Sequence, residues 1–228
     1  MSPEHVPPLS EECSVVLLGA FNPAIFHPEW FVRNKLFSEE ALETAKVDAV
    51  TRNFAQFSLK EIRFTCEDSR LTVATSNMAH SESLYDALVG MLILLSHLPV
   101  TAVGLNNEAV FKVETEARWH RIGDQLAPKE QVWNSLCKAP GLAMLSIEAP
   151  IEDWDFPLTE NLTVHPMPRR HPHHPAINVK TNLHFQIPSQ EDEALTPTDM
   201  AKLFALENWT KVTRRARNVA AHIFEKIS

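Results

Sequence analysis

Glycine is scarce in this chain, which has 228 residues and five glycines: Gly19, Gly90, Gly104, Gly123 and Gly141. A loop that holds a phosphate needs several glycines close together, because its backbone N–H groups must wrap the anion. No two of these glycines lie close enough to form such a loop. The sequence therefore excludes a Walker A loop, a Rossmann fingerprint and a kinase-type glycine-rich loop. It also lacks the GxSxG and HExxH motifs of hydrolases.

Cysteines are few, and long apolar runs are absent from the sequence. The three cysteines, Cys13, Cys66 and Cys137, are widely spaced, and none forms the CxxC pair of a zinc or redox site. We expect reduced thiols in or near the core, as in a cytoplasmic protein. The longest apolar run, 87–95, is too short to cross a bilayer. Residues 1–12 lack the apolar segment of a signal peptide.

Positive charge is in deficit. Lysine and arginine number 21 against 29 acidic residues, so the formal net charge is −8 at pH 7. Because nucleic acids and anionic membranes repel such a chain, general affinity for either is not expected. Either would need a local basic patch.

The clearest pattern that is present lies in residues 176–187. Apolar side chains and Thr181 alternate there with polar ones. Strict alternation predicts a strand with one buried and one solvent face. The solvent face would carry Asn178, Lys180, Asn182 and His184, which we take as the first candidate binding surface.

The remaining elements follow from hydrophobic spacing and turn residues. Strands are predicted at 12–20, 57–66, 71–75, 100–105, 109–113, 142–149 and 158–164, with Asn106 and Asn107 separating the fourth from the fifth. Helices are predicted at 28–47, 81–98, 128–138 and 197–227. This order predicts an α+β fold with largely antiparallel sheet or sheets and helices packed on one side. Segments 57–97 and 160–227 are candidates for two related ββα units.

The domain prediction follows from the same pattern. Residues 1–12 are predicted to form a flexible tail, and 13–228 a single α+β domain. Division of that domain into halves at 13–125 and 126–228 remains an alternative.

A loop at 165–175 is rich in histidine, arginine and proline. Three imidazoles, those of His171, His173 and His174, are candidate ligands for a divalent metal such as zinc. No carboxylate or thiol lies among them, so a solvated loop is the favoured interpretation. No cofactor is therefore expected, with metal binding kept as the alternative.

A second basic segment lies on the last predicted helix. Its cations are Lys211, Arg214, Arg215 and Arg217. Together with Arg169 and Arg170 they are candidates for a phosphate-binding patch. Charges on a terminal helix more often only solvate it, so nucleic-acid binding is the weaker interpretation.

Three segments together resemble a known family. They are HLPVTAVGLN at 97–106, WHRIGDQLAP at 119–128 continuing to Trp133, and VKTNLHF at 179–185. In this order the chain resembles, over about 14–225, a sporadically distributed family of uncharacterised bacterial proteins. That family has no established activity, so the resemblance implies no catalytic residues. Its patchy distribution is typical of mobile or defence-associated genes.

The sequence thus favours binding over catalysis, and it identifies no catalytic residue. We predict a non-catalytic protein-interaction module with a protein partner; the resemblance implies an accessory or neutralising role in a bacterial defence or toxin system. Two alternatives stay open: a nucleic-acid-binding protein, and a metal-dependent hydrolase built on loop 165–175. Self-association into a homo-oligomer is also left open.

Overall fold

One antiparallel sheet organises the molecule. The computed structural model describes residues 7–130, 132–151, 158–167, 175–188 and 195–227. Within them, nine strands pair in the order β2-β3-β4-β5-β1-β6-β9-β8-β7. Their bounds are β1 Ser10–Gly19, β2 Lys46–Val50, β3 Phe54–Leu59, β4 Ile62–Glu67, β5 Arg70–Thr75, β6 Val100–Lys112, β7 Leu145–Ile151, β8 Leu158–Met167 and β9 Ala176–Gln186. The predicted α+β class with antiparallel sheet is confirmed.

The bounds of the helices are α1 Pro28–Arg33, α2 Ser81–Leu94, α3 Glu116–Leu126, α4 Trp133–Leu136, α5 Pro197–Val212 and α6 Arg215–Lys226. Helices α1, α2, α3, α5 and α6 lie on one face of this sheet. Helix α2 packs on β5, while α5 and α6 pack on β6 and β9. Helix α1 lies on the same face, because its Phe31 contacts Phe57 of β3 and Phe64 of β4. We call the opposite side of the sheet the open face.

The order of the elements repeats once. Strands β1, β3, β4 and β5 with α2 are followed by β6, β7, β8 and β9 with α5. In the sheet the first set runs outward from β1 and the second outward from β6. The two related units predicted from sequence correspond to β4-β5-α2 and β8-β9-α5. The second set begins at β6, which lies before residue 126, the start of the second half in the alternative division of the domain.

The core lies between the helices and the sheet. The larger cluster contains Phe31, Phe57 and Phe64, whose rings pack with the Phe57 and Phe64 centroids 5.1 Å apart. A smaller cluster joins β6 and β9 to α6 and includes Phe111 and Ile122. The large cluster extends from β1 to α5, so both halves of the chain share one core.

Several predicted boundaries were wrong in the first half of the chain. The predicted strand 57–66 is the hairpin of β3 and β4, whose turn residues Lys60 and Glu61 both have positive φ. Such a turn normally uses asparagine or glycine, so its signal was missing. The predicted helix 28–47 ends at Arg33 and gives way to β2. Strand β1 begins at Ser10, inside the segment predicted to be a tail.

Other differences lie in the second half. The two strands predicted around Asn106 and Asn107 are the single strand β6. Of the predicted helix 128–138 only α4 is helical, and α3 was not predicted at all. The predicted last helix is two helices, α5 and α6, with Thr213 and Arg214 between them. The alternation predicted for β9 is confirmed, because Ile177, Val179 and Phe185 are buried.

Candidate functional site

Polar side chains form a row across the middle of the open face. Asn182 of β9 is in register with Asn106 of β6 on one side and with Asn161 of β8 on the other. Directly opposed residues of antiparallel strands point to the same face. The Asn182 Nδ2 donates to the Asn106 Oδ1 at 2.7 Å. This asparagine row therefore places three amides side by side on neighbouring strands.

Small residues keep the surface around this row flat. Gly104 lies opposite His184, and a Cβ built there would lie 3.0 Å from the Asn182 Nδ2. Ser14 of β1 is opposite Asn106, and its carbonyl oxygen lies 3.5 Å from the Asn106 Nδ2. The backbone there is within reach of a molecule that docks on the sheet.

Charged groups flank the row and neutralise one another. The Lys180 Nζ lies 2.8 Å from a Glu108 carboxylate oxygen, and the Asn178 Nδ2 donates to the same carboxylate at 2.7 Å. Farther along the face, Arg63 pairs with Glu12 at 3.1 Å. The open face thus combines hydrogen-bonding amides with charges of both signs.

The four predicted β9 residues do share the open face. Lys180 is exposed and Asn182 and His184 are half-buried, whereas Asn178 is only 8% exposed. The Asn178 Oδ1 has no hydrogen-bond partner in the described part of the chain. That oxygen is an acceptor without a donor at the margin of this surface.

The predicted basic segment lies on the helix-covered face, away from the β9 residues. The Arg215 Nε and Nη2 donate to the Glu160 carboxylate at 2.6 and 2.7 Å, and this bidentate pair raises the Arg215 pKa. The Arg217 Nε donates to the Glu11 carboxylate at 2.9 Å. These two arginines are therefore engaged in internal ion pairs, while Lys211 and Arg214 stay exposed.

A buried amide explains where α6 begins. Asn107 is fully buried, and its Oδ1 accepts the Ala216 N–H at 3.0 Å. Its Nδ2 donates to Glu11 at 3.2 Å, so the amide links β1, β6 and α6. An amide acceptor at the first turn satisfies an N–H that the helix leaves unpaired. Asn107 thus caps α6 from a strand far away in sequence.

A groove opens beside this junction, between the α5–α6 turn and strands β7, β8 and β9. Its volume is about 500 Å³. The groove is lined by Ile151, Leu158, Glu160, Thr181, Leu183, Asn208, Thr210, Lys211, Val212, Arg214, Arg215 and Asn218. Three of the predicted basic residues thus line one cavity, and Arg217 does not.

The candidate metal ligands His171, His173 and His174, with Arg169 and Arg170, lie outside the described residues. In the parts that the structure describes, no group of three or more His, Cys, Asp or Glu side chains could hold a metal ion. His165 projects from β8 on the open face, opposite Asn178.

Two of the three thiols are buried, as predicted. Burial, together with repulsion from the neighbouring Glu11 and Glu12, raises the pKa of Cys13 to about 12. Burial and repulsion from Asp68 and Glu67 likewise raise the pKa of Cys66 to about 12. Both stay protonated at neutral pH, so neither is a nucleophile. Cys137 is exposed.

Sequence reasoning missed the residues that connect these surfaces. Asn106 and Asn107 were interpreted as a break, although Asn106 lies in the polar row and Asn107 in the buried junction. Glu11 and Glu160 were not singled out. A polar pair inside an apolar strand pattern was the available signal, since a buried polar group requires a partner.

None of the described helices is long and apolar enough to cross a membrane.

Comparison with known proteins adds no relative to this description. A scan against protein-family models found no matching family, and a search of curated proteins found no significant match.

Proposed function

We propose that this chain is a protein-interaction module that binds a protein partner on the open face of its sheet. The observation that carries the proposal is the asparagine row of Asn106, Asn161 and Asn182, which lies on the side of the sheet opposite α2, α5 and α6. Amides both donate and accept hydrogen bonds, so a row of them suits the polar backbone and side chains of another protein.

The charges around the row favour a protein over a nucleic acid. Lys180 is balanced by Glu108 and Arg63 by Glu12, so the described part of this face lacks the uniform positive charge that phosphates require. The open-face positions of β1, β6, β8 and β9 carry no Phe, Tyr or Trp. Single-stranded nucleic acids are usually held by stacking on such aromatic rings.

The resemblance stated above suggests where the module acts. Within the proposal, the chain is a non-catalytic accessory or neutralising partner in the cytoplasm of a bacterium, in a defence or toxin system. Neutralisation requires only stable contact with the partner.

The test uses the untagged protein, purified gently from its own host and weighed by native mass spectrometry. We compare the wild type with Asn182→Arg, which places a bulky cation in the middle of the asparagine row. The matched control is Ser83→Arg, which adds the same side chain at an exposed position of α2. Circular dichroism confirms that both variants are folded.

A protein mass bound to the wild type and to Ser83→Arg, and lost from Asn182→Arg, supports the proposal. A partner retained by Asn182→Arg would overturn it, as would a bound nucleic acid or a bare chain. A mass of two identical chains that Asn182→Arg leaves intact would also contradict it, because self-association would then use another surface.

A further inference from the structure

We infer that the groove beside the α5–α6 turn is a binding site for a small organic anion with an apolar body. A volume of about 500 Å³ falls within the range of small-molecule sites. The inference does not depend on the proposed function, because the groove and the asparagine row lie on opposite faces of the sheet.

The inner wall of the groove is apolar. It is formed by Leu158 of β8, Leu183 of β9 and Val212 of α5, with Ile151 of β7 beside them. The first three are at least nine-tenths buried, so they form a fixed floor. An aliphatic or aromatic group that covers this floor would remove apolar surface from water.

The rim of the groove is positively charged in a chain that is negative overall. Arg215 is neutralised by Glu160, whose carboxylate accepts two of its N–H groups. Lys211 and Arg214 also line the groove, and neither forms an ion pair with any residue that the structure describes. Glu160 is the single carboxylate on the described lining, so the described part of the groove carries an excess of two positive charges.

A buried amide also belongs to the lining. Asn208 is 5% exposed, and its Nδ2 donates along its own helix to the Phe204 carbonyl oxygen at 3.0 Å. The recognition of a ligand therefore depends on the apolar floor and on the cations Lys211 and Arg214. Together these fit a carboxylate on a hydrocarbon or aryl group.

The test measures decanoate binding by isothermal titration calorimetry, with neutral decanamide as the matched ligand. The charge variant is Lys211→Glu with Arg214→Glu. Its control, Arg33→Glu with Lys35→Glu, makes the same charge change at two exposed positions at the end of α1. A third variant, Thr210→Trp, fills the groove without changing charge.

We expect one decanoate per chain for the wild type and the control. Affinity should fall at least about tenfold in Lys211→Glu/Arg214→Glu, in Thr210→Trp, and for decanamide on the wild type. Absence of saturable binding to the wild type would overturn the inference. Equal affinity of the two charge variants, or wild-type affinity in folded Thr210→Trp, would overturn it as well.

Discussion

Asn106 and Asn107 are neighbours in sequence, and they serve opposite faces of the sheet. Alternation along β6 points Asn106 to the open face and Asn107 to the helices. Asn106 is half-buried and bonds to Asn182, whereas Asn107 is fully buried and bonds to Ala216, Glu11 and Glu12. We therefore expect the same side chain to contribute very differently to the free energy of unfolding at the two positions.

Alanine at each position measures this difference. We predict that Asn107→Ala lowers the free energy of unfolding by about 3 kcal/mol. The variant leaves the buried Ala216 N–H without its acceptor and removes one of the donors to the buried Glu11 carboxylate, which Arg217 still holds. Asn106→Ala, the matched control, should cost about 1 kcal/mol, the usual net worth of one hydrogen bond. Urea unfolding followed by circular dichroism decides the question. Equal losses in the two variants would show that Asn107 does not anchor α6.

The three cysteines differ in burial, which predicts their reactivity. Cys137 is exposed, while Cys13 and Cys66 are buried with pKa values raised to about 12. Ellman's reagent at pH 8 should therefore titrate one thiol in the native protein and three in guanidinium chloride. Cys137→Ser should abolish the fast reaction. Rapid reaction of two or more native thiols would contradict the buried placement.

Elements were predictable where a local pattern decides them. Strand β9 was predicted because alternation alone marks a sheet with one buried face. The division of the last helix into α5 and α6 was not predicted. The amide that caps α6 comes from Asn107, and no residue near Arg214 in the sequence is a signal for the start of a helix. Helix α3 was missed because Thr115, whose side chain caps it by accepting the Arg118 N–H, was not recognised as a start signal. Of the candidate site, the β9 residues were predictable; their partners on β6 depend on strand pairing that sequence patterns do not reveal.

Helix α5 begins with a capping box of Thr196 and Asp199. The Asp199 carboxylate accepts a hydrogen bond from the Lys202 Nζ at 2.7 Å and another from Thr196. These hydrogen bonds lower the Asp199 pKa from 3.8 to about 2. Because the folded-state pKa is depressed, this stabilisation is present at neutral pH. It is lost as the pH falls from about 4 to about 2.

Asp199→Asn tests this cap. At pH 7 we expect a loss of about 1 kcal/mol, typical of a helix cap. The difference from the wild type should shrink as the pH falls from about 4 to about 2. In this range the carboxylate of the unfolded wild type binds a proton while that of the folded protein stays ionised, which favours unfolding. The midpoints of urea unfolding for both proteins at pH 7, 4 and 3 measure this difference in stability. A difference that is constant with pH would show that the charge of Asp199 does not matter.

At the scale of the whole molecule, the two halves meet along β1 and β6 and share a core. At one end of this seam, a Cβ on Gly19 would lie 2.5 Å from the Pro99 carbonyl oxygen and 3.1 Å from the Val100 Cα. Both atoms belong to backbone, which cannot move without shifting the seam. Any residue larger than glycine must push the halves apart there.

We predict that Gly19→Ala destabilises both halves together, by about 2 kcal/mol, a typical overpacking cost. The unfolding midpoints measured by circular dichroism and by tryptophan fluorescence should shift by the same amount, because a single shared core unfolds as one unit. The control is Gly141→Ala, whose added methyl would meet nothing within 4 Å; its stability should match or slightly exceed the wild type. Separate transitions for the two probes would show that the halves unfold independently.

A nine-stranded open sheet has two outer edges, β2 and β7, and unpaired edges invite other chains to extend the sheet into fibrils. Strand β2 is five residues long and carries a register shift between Val47 and Ala49. Strand β7 contains Pro150, which has no N–H to offer a neighbour. Both outer strands of the described sheet therefore carry features that oppose its templated growth into fibrils.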